Sequence, residues 1–237
     1  CHGGVNDDCR NHDVDVLGRA RRYAASMSAH PESREIFFIR HAPVVRQAGH
    51  VPPADPPIEP RHFDVEQLVS QLPAAAAWHV SPLQRAQQTA ALLAPSLAPA
   101  SLSEAPELVE MDHGAWHDRP VAEVWDQIKE GPLHNWTFLT ADRVAPQGES
   151  FVMLAARVTG WMRRFEREFR TTPAIIITHA GVMRAAMAVA LGAPPDHVVG
   201  IPVPHFGMLK LTLMDPSRAT AAGGAWLFNG LFDPAIA

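Results

Sequence analysis

Two short segments constrain the fold of this chain more than anything else in it. Glu35-Ile36-Phe37-Phe38-Ile39 and Ala174-Ile175-Ile176-Ile177-Thr178 are almost continuous runs of β-branched and aromatic residues. Such runs, bounded by polar residues and without alternation, predict strands buried on both faces of a parallel sheet. The two end alike, one in Arg40-His41 and the other in His179. Ligands in open α/β sheets bind just beyond the carboxyl ends of strands. Two such strands lying close together would bring two imidazoles to one site.

The rest of the chain supplies the other layers. Residues 63–72 read as a short helix and Ala77-Trp78-His79-Val80 as a further strand. In Ser81-Pro82-Leu83-Gln84, Ser81 reads as a cap, Pro82 as the first helical residue, and Gln84 as the partner that closes a capping box. That helix is expected to run to about Leu93 and to stop before Pro95. Residues 52–60 are too rich in proline to be anything but loop, and residues 120–129 form another helix candidate. Over 149–170, Phe151, Leu154, Ala155, Val158, Met162, Phe165 and Phe169 share one helical face. A helix over 181–191 is closed by Gly192 and Pro194, and residues 208–213 and 225–228 read as closing strands. Strands alternating with helices predict an α/β fold, a three-layer α/β/α sandwich around a mainly parallel sheet.

Hydrophobic residues make up 47% of the 237 and charged residues 19%, a globular profile. The net charge of −5 argues against nucleic acid as a partner, and no apolar run is long enough to span a membrane. One domain is expected over 34–237. Residues 1–33 are polar, lack the apolar core of a signal peptide and read as a flexible extension. The chain begins with Cys1 rather than Met, so its native start is expected upstream. Both cysteines, Cys1 and Cys9, lie in that extension, which leaves the body without a disulfide framework and suits a reducing cytoplasm. Cys1, His2, Cys9 and His12 match no standard zinc spacing, so no metal is expected.

Arg40, His41, Arg85 and His179 together make a plausible phosphate cradle. Guanidinium forks bind phosphate oxygens and stay charged at any working pH. Neutral imidazole is a nucleophile, and flanking cations disfavour its protonation. A histidine at a strand end is also commonly just a hydrogen-bonded loop residue, and an arginine at a helix start a surface residue. Residue type alone therefore leaves the assignment open.

Five ordered segments carry a resemblance. They are Arg40-His41-Ala42-Pro43, residues 81–90 (SPLQRAQQTA), residues 107–116 (ELVEMDHGAW), residues 146–150 (PQGES) and residues 178–184 (THAGVMR). In this order they resemble the histidine phosphatase superfamily, the phosphoglycerate mutase-like proteins. The resemblance spans about residue 34 to the C-terminus. It implies that His41 is the nucleophile that becomes phosphohistidine, that Arg40, Arg85 and His179 hold the phosphoryl oxygens, and that Glu110 is the general acid and base. Asp112 is a rival for the acid, with a local cap as its plainer reading. Ala42, Pro43 and Val44 stand where the family often has Gly, an acidic residue and Thr, so a hydroxyl donor is missing. Gln47 stands where Asn is common, Ala180 where Gly is usual, and His113 replaces a common aromatic residue.

The run from Glu110 to Gly114 with Trp116 is most similar to the α-ribazole phosphatase-like branch. The implied activity is hydrolysis of a small phosphate monoester, such as α-ribazole 5′-phosphate, without a cofactor. A mutase, a phosphoprotein phosphatase and a non-catalytic phospho-ligand binder are the alternatives. Gln47, Trp116 and His205 are expected to bind substrate beside Arg40, Arg85 and His179. Arg46, His50, His117 and Trp136 are candidates for an outer pocket, although both tryptophans have an equal reading as packing residues. The expected partner is a small-molecule phosphate ester, with at most a second copy of the chain as a homodimer.

Overall fold

The structure, a computed structural model, describes residues 33–220 and 222–233. The extension up to residue 32, with the group formed by Cys1, His2, Cys9 and His12, lies outside the described residues. Six strands are present among the described residues: β1 (Ser33–Arg40), β2 (Ala77–Val80), β3 (Ser101–Glu104), β4 (Ala174–Thr178), β5 (Met208–Met214) and β6 (Trp226–Phe232). They form one sheet in the order β3-β2-β4-β1-β5-β6. β1, β2, β3 and β4 pair in parallel, and β6 closes the sheet antiparallel to β5. The helices are α1 (Glu66–Ser70), α2 (Gln84–Leu97), α3 (Val121–Ile128), α4 (Phe151–Arg167), α5 (Ala180–Leu191) and α6 (Pro195–Val198).

Successive side chains of a strand point to opposite faces, and the two central strands divide their apolar runs accordingly. Ile36, Phe38, Ala174 and Ile176 face one core, which α4 and α5 cover with Leu154, Val158, Met162, Val182 and Met183. Phe37, Ile39, Ile175 and Ile177 face the other, where Leu68 of α1 and Leu93 and Leu97 of α2 pack. The expected three-layer sandwich is therefore the one observed, with a mostly parallel sheet. Among the described residues no helix is long and apolar enough to cross a membrane.

Three local expectations need correction. α2 does not stop before Pro95 but continues to Leu97. Pro95 removes only one backbone bond near the helix end, while Leu97 is buried in the core and Ala98, in the left-handed conformation, closes the helix onto Ala94 O. The capping box at Ser81 and Gln84 does not form: the cap position is Leu83, with no side-chain bond. The Ser81 hydroxyl is used elsewhere. β3 was not anticipated, because Ser101-Leu102-Ser103-Glu104 is exposed throughout and carries no apolar pattern. It is held at the sheet edge by its ladder to β2.

Candidate active site

The site is built by strand register. β1 and β4 pair so that Arg40 lies opposite Thr178. The next residue of each strand is a histidine, and His41 N–H donates to Thr178 O at 2.9 Å. The rings of His41 and His179 come within 5.1 Å, centroid to centroid. β2 lies on the other side of β4, and Ser81 N–H, just past its end, donates to Ile177 O at 3.0 Å. That places Ser81 beside His179 and starts α2, which delivers Arg85, within reach of the same ring.

The hydrogen bonds define the ring tautomers. Arg85 Nε donates to His179 Nδ1 at 3.2 Å. Guanidinium is donor-only, so Nδ1 is the acceptor nitrogen and Nε2 carries the proton. That Nε2–H reaches Ser81 Oγ at 2.8 Å. In His41, Nδ1–H donates to Ala42 O at 2.7 Å, which leaves Nε2 unprotonated with its lone pair free. His205 packs its ring 5.2 Å from that of His41 and donates from Nδ1 to His41 O at 3.1 Å.

All three imidazoles are held neutral. Burial is the main cause for His41, with Arg85 and Arg40 adding to it against the Ala42 carbonyl, and its pKa is pushed down to about 2. Burial and then Arg85 hold His179 well below the ordinary imidazole range. Burial, with Arg40, lowers His205 to about 4. Burial also lowers Arg40, to about 10, which still leaves it cationic near neutrality. The arginines Arg40 and Arg85 are supported in their charged form by Glu110.

Glu110 sits at the start of α5. Its carboxylate accepts from Met111 N at 2.9 Å and from Gly181 N at 3.1 and 3.2 Å. The positive end of a helix favours a carboxylate there. A Cβ on Gly181 would stand 2.2 Å from Glu110 Oε1, so only glycine admits the carboxylate this closely. Arg157 of α4 fixes the backbone of the segment, donating to Glu107 O at 2.6 Å and to Glu110 O at 3.1 Å. Asp112 instead accepts from Gly114 N at 2.8 Å and pairs with His117 Nε2 at 3.0 Å. The Gly114 bond holds its pKa below the ordinary carboxylate value.

These groups border a cavity of about 350 Å³ lined by Arg40, His41, Arg46, Arg85, Glu110 and His205. His113, His117 and Asp112 stand at its wall. Three of the expected substrate-binding residues are not brought to it. His179 does not line it: the ring is fully buried against His41 with both nitrogens bonded, to Arg85 and Ser81, so neither is left to hold a phosphoryl oxygen. Gln47 is exposed and borders a separate surface depression with Arg46 and Glu59. Trp116 is buried beside Val124 and Ile128, donates its Nε1–H to Gln127 at 3.0 Å, and reaches only a neighbouring chamber. Trp136 is 84% exposed on a distant groove with His134 and Asp196. His50 borders the neighbouring chamber and the Gln47 depression, not the His41 cavity.

Asp55 is a participant that the sequence did not announce. It sits in the proline-rich loop, accepts from Gln84 N at 2.9 Å, and lies 3.5 Å from Arg85 Nη1, which also donates to Ala54 O at 3.1 Å. This loop thus anchors the start of α2 from outside and orients the guanidinium. A carboxylate among prolines gives no sign of such a partner in the linear sequence.

The neutral histidines make acid stability a test of this geometry. The unfolded chain protonates His41 and His179 below their ordinary pKa of about 6.5, whereas the folded chain does not. Stability is thus fully present above that pH and falls as pH drops below it. Two buried groups contribute up to about 3 kcal/mol per pH unit. The melting temperature is expected to fall by about 5–10 °C per unit between pH 6.5 and 5. A flat profile in differential scanning calorimetry would mean that neither ring is held neutral in the fold.

A parallel sheet that brings His41, Arg40 and Arg85 to one cavity beyond its strand ends, with His179 packed against the His41 ring, has the groups of a phosphoryl-handling α/β protein. The chain belongs to the histidine phosphatase superfamily (branch 1), whose profile matches residues 36–221. Among solved structures it is similar to a mycobacterial glucosyl-3-phosphoglycerate phosphatase, with a TM-score of 0.66 and 16% identity over 83% of this chain and 97% of that one. It is similar to an Escherichia coli protein assigned as an alpha-ribazole-5′-P phosphatase, at 0.67 and 20% over 85% and 97%. Phosphoglycerate mutase from Bacillus anthracis matches at 0.69 and 14% over 86% and 95%. At these identities the likenesses establish the fold. No curated protein sequence matches the chain.

Proposed function

We propose that this chain is a phosphomonoester hydrolase that carries the phosphoryl group on His41, with Glu110 as general acid and base. One observation supports this above all. His41 presents an unprotonated Nε2 in a cavity that also holds Arg40, Arg85 and Glu110. In the first step the Nε2 lone pair attacks phosphorus, the ester P–O bond breaks, and Glu110 gives its proton to the leaving alkoxide. In the second, water attacks the phosphohistidine, its proton goes to the Glu110 carboxylate, and the P–N bond breaks to leave phosphate and neutral His41. Arg40 and Arg85 stabilise the charge on the transferring oxygens. His179, bound to Arg85 and Ser81, positions that arginine and lies against the nucleophile ring.

The substrate is a small phosphorylated metabolite. The Escherichia coli neighbour's assignment makes α-ribazole 5′-phosphate one candidate and the mycobacterial neighbour makes glucosyl-3-phosphoglycerate another. The assay is turnover of p-nitrophenyl phosphate in the presence of chelator, with acid and alkaline quenches. Inorganic phosphate should be released, and an acid-labile, alkali-stable label should map to His41. Label on a serine or aspartate, or an absolute need for added metal, would overturn the reading.

A further inference from the structure

The wall made by Pro52, Glu110, Met111 and His113 separates the His41 cavity from a second chamber of about 390 Å³ and borders both. Because Glu110 serves the leaving oxygen, the alcohol half of an ester departs on this side. The second chamber is where that half would lie. Its lining is mainly apolar: Val51, Trp116, Val121, Val124, Phe138 and Leu139 belong to a hydrophobic cluster of their own, distinct from the two cores that flank the sheet. Five polar residues share that lining, His50, Glu110, His113, Thr137 and Arg184, and Arg184 Nε is bonded to Ile201 O at 2.7 Å. His50 Nδ1 is bonded to Ala48 O at 3.1 Å.

We infer that the alcohol half of the natural substrate is a neutral, apolar ring or branched alkyl group seated in this second chamber. The inference rests on the phosphatase reading above. Apolar surface gains free energy on entering such a lining, whereas a hydroxyl set against its apolar cluster would lose its water without finding a partner there. The chamber holds one ring system.

Cyclohexylmethyl phosphate and glucose 6-phosphate test this directly. Both are esters of a primary alcohol on a six-membered ring, so leaving-group chemistry and size are closely matched and polarity differs. We expect kcat/KM for cyclohexylmethyl phosphate to exceed that for glucose 6-phosphate by at least ~30-fold. Val121→Asn and Leu139→Asn, at two half-buried positions of the lining, should each lower that ratio by ~10-fold or more. Equal values for the two esters, a preference for the sugar, or a ratio that neither variant moves would overturn the inference. Phosphoramidate keeps this failure separate from failure of the phosphatase reading. It has only ammonia to expel and needs no second chamber. If it fails to phosphorylate His41 of the unmodified protein, the phosphatase reading itself is lost. If it succeeds while the ester ratio is flat, only the chamber's role is lost.

Discussion

His41→Ala should lower turnover of p-nitrophenyl phosphate by ~10⁴-fold or more and remove the trapped phosphoenzyme altogether. The size of the loss follows from how the neighbouring rings are used. His179 has both nitrogens committed, one accepting from Arg85 and the other donating to Ser81. His205 spends Nδ1 on the His41 carbonyl, and that bond is made to backbone, so it survives the substitution. Neither ring sits at the end of β1 where the anion would meet it in line. The fold should persist, because the strand ladder and the His41 N–H bond to Thr178 do not involve the side chain. Circular dichroism and the melting temperature check this. Substantial residual turnover with label on His205 would show that the cradle tolerates a second nucleophile and that His41 is not the sole carrier.

Gly181→Ala is the second large effect, and it separates activity from stability. The added methyl would stand 2.2 Å from Glu110 Oε1, and what it meets first is the end of a flexible side chain rather than backbone. The fully buried Leu154, whose Cδ1 would stand 3.1 Å from the methyl, must also give slightly, so a modest drop in melting temperature is expected while the carboxylate is pushed off the start of α5. General acid help is worth typically ~10²–10⁴-fold, and the loss should approach that range for an alkyl phosphate, whose alkoxide must be protonated. It should be much smaller for p-nitrophenyl phosphate, whose leaving group departs as a stable anion. Glu110→Gln should reproduce the same contrast without the steric cause. Equal losses on both esters in both variants would take the acid role away from Glu110. Asp112, at the cavity wall and bonded to Gly114 and His117, would be the next carboxyl group to substitute.

The convergence of these residues explains why so much of the site is legible in the chain. A strand buried on both faces must be apolar along its length, so β1 and β4 stand out, and the first polar residues after them mark the edge of the sheet. His41 and His179 fall there by construction. The ordered segments that resemble the family add Arg85 and Glu110, whose separation in sequence hides that they meet. Signals that depend on one helix or one strand read well, as with the buried face of α4 and the glycine that closes α5.

Readings failed where the deciding partner was far away in sequence. Ser81 has the composition of a cap, yet its hydroxyl is worth more beside His179, which lies 98 residues on. Pro95 breaks helices in isolation, but burial of Leu97 outweighs one missing backbone bond. Gln47 and Trp136 share the polarity and size of pocket residues, and only the course of the chain sends them to other surfaces.

By itself the sequence determined the apolar strands, the helices that cover them and the residue types at the strand ends, because each depends on local periodicity and solvent exclusion. Only the tertiary structure decided that Glu110 docks on Gly181, that Asp55 steadies Arg85, and that a second, mainly apolar chamber adjoins the first. Those outcomes arise from hydrogen bonds and packing between segments tens of residues apart, and no property of a short stretch of chain encodes them.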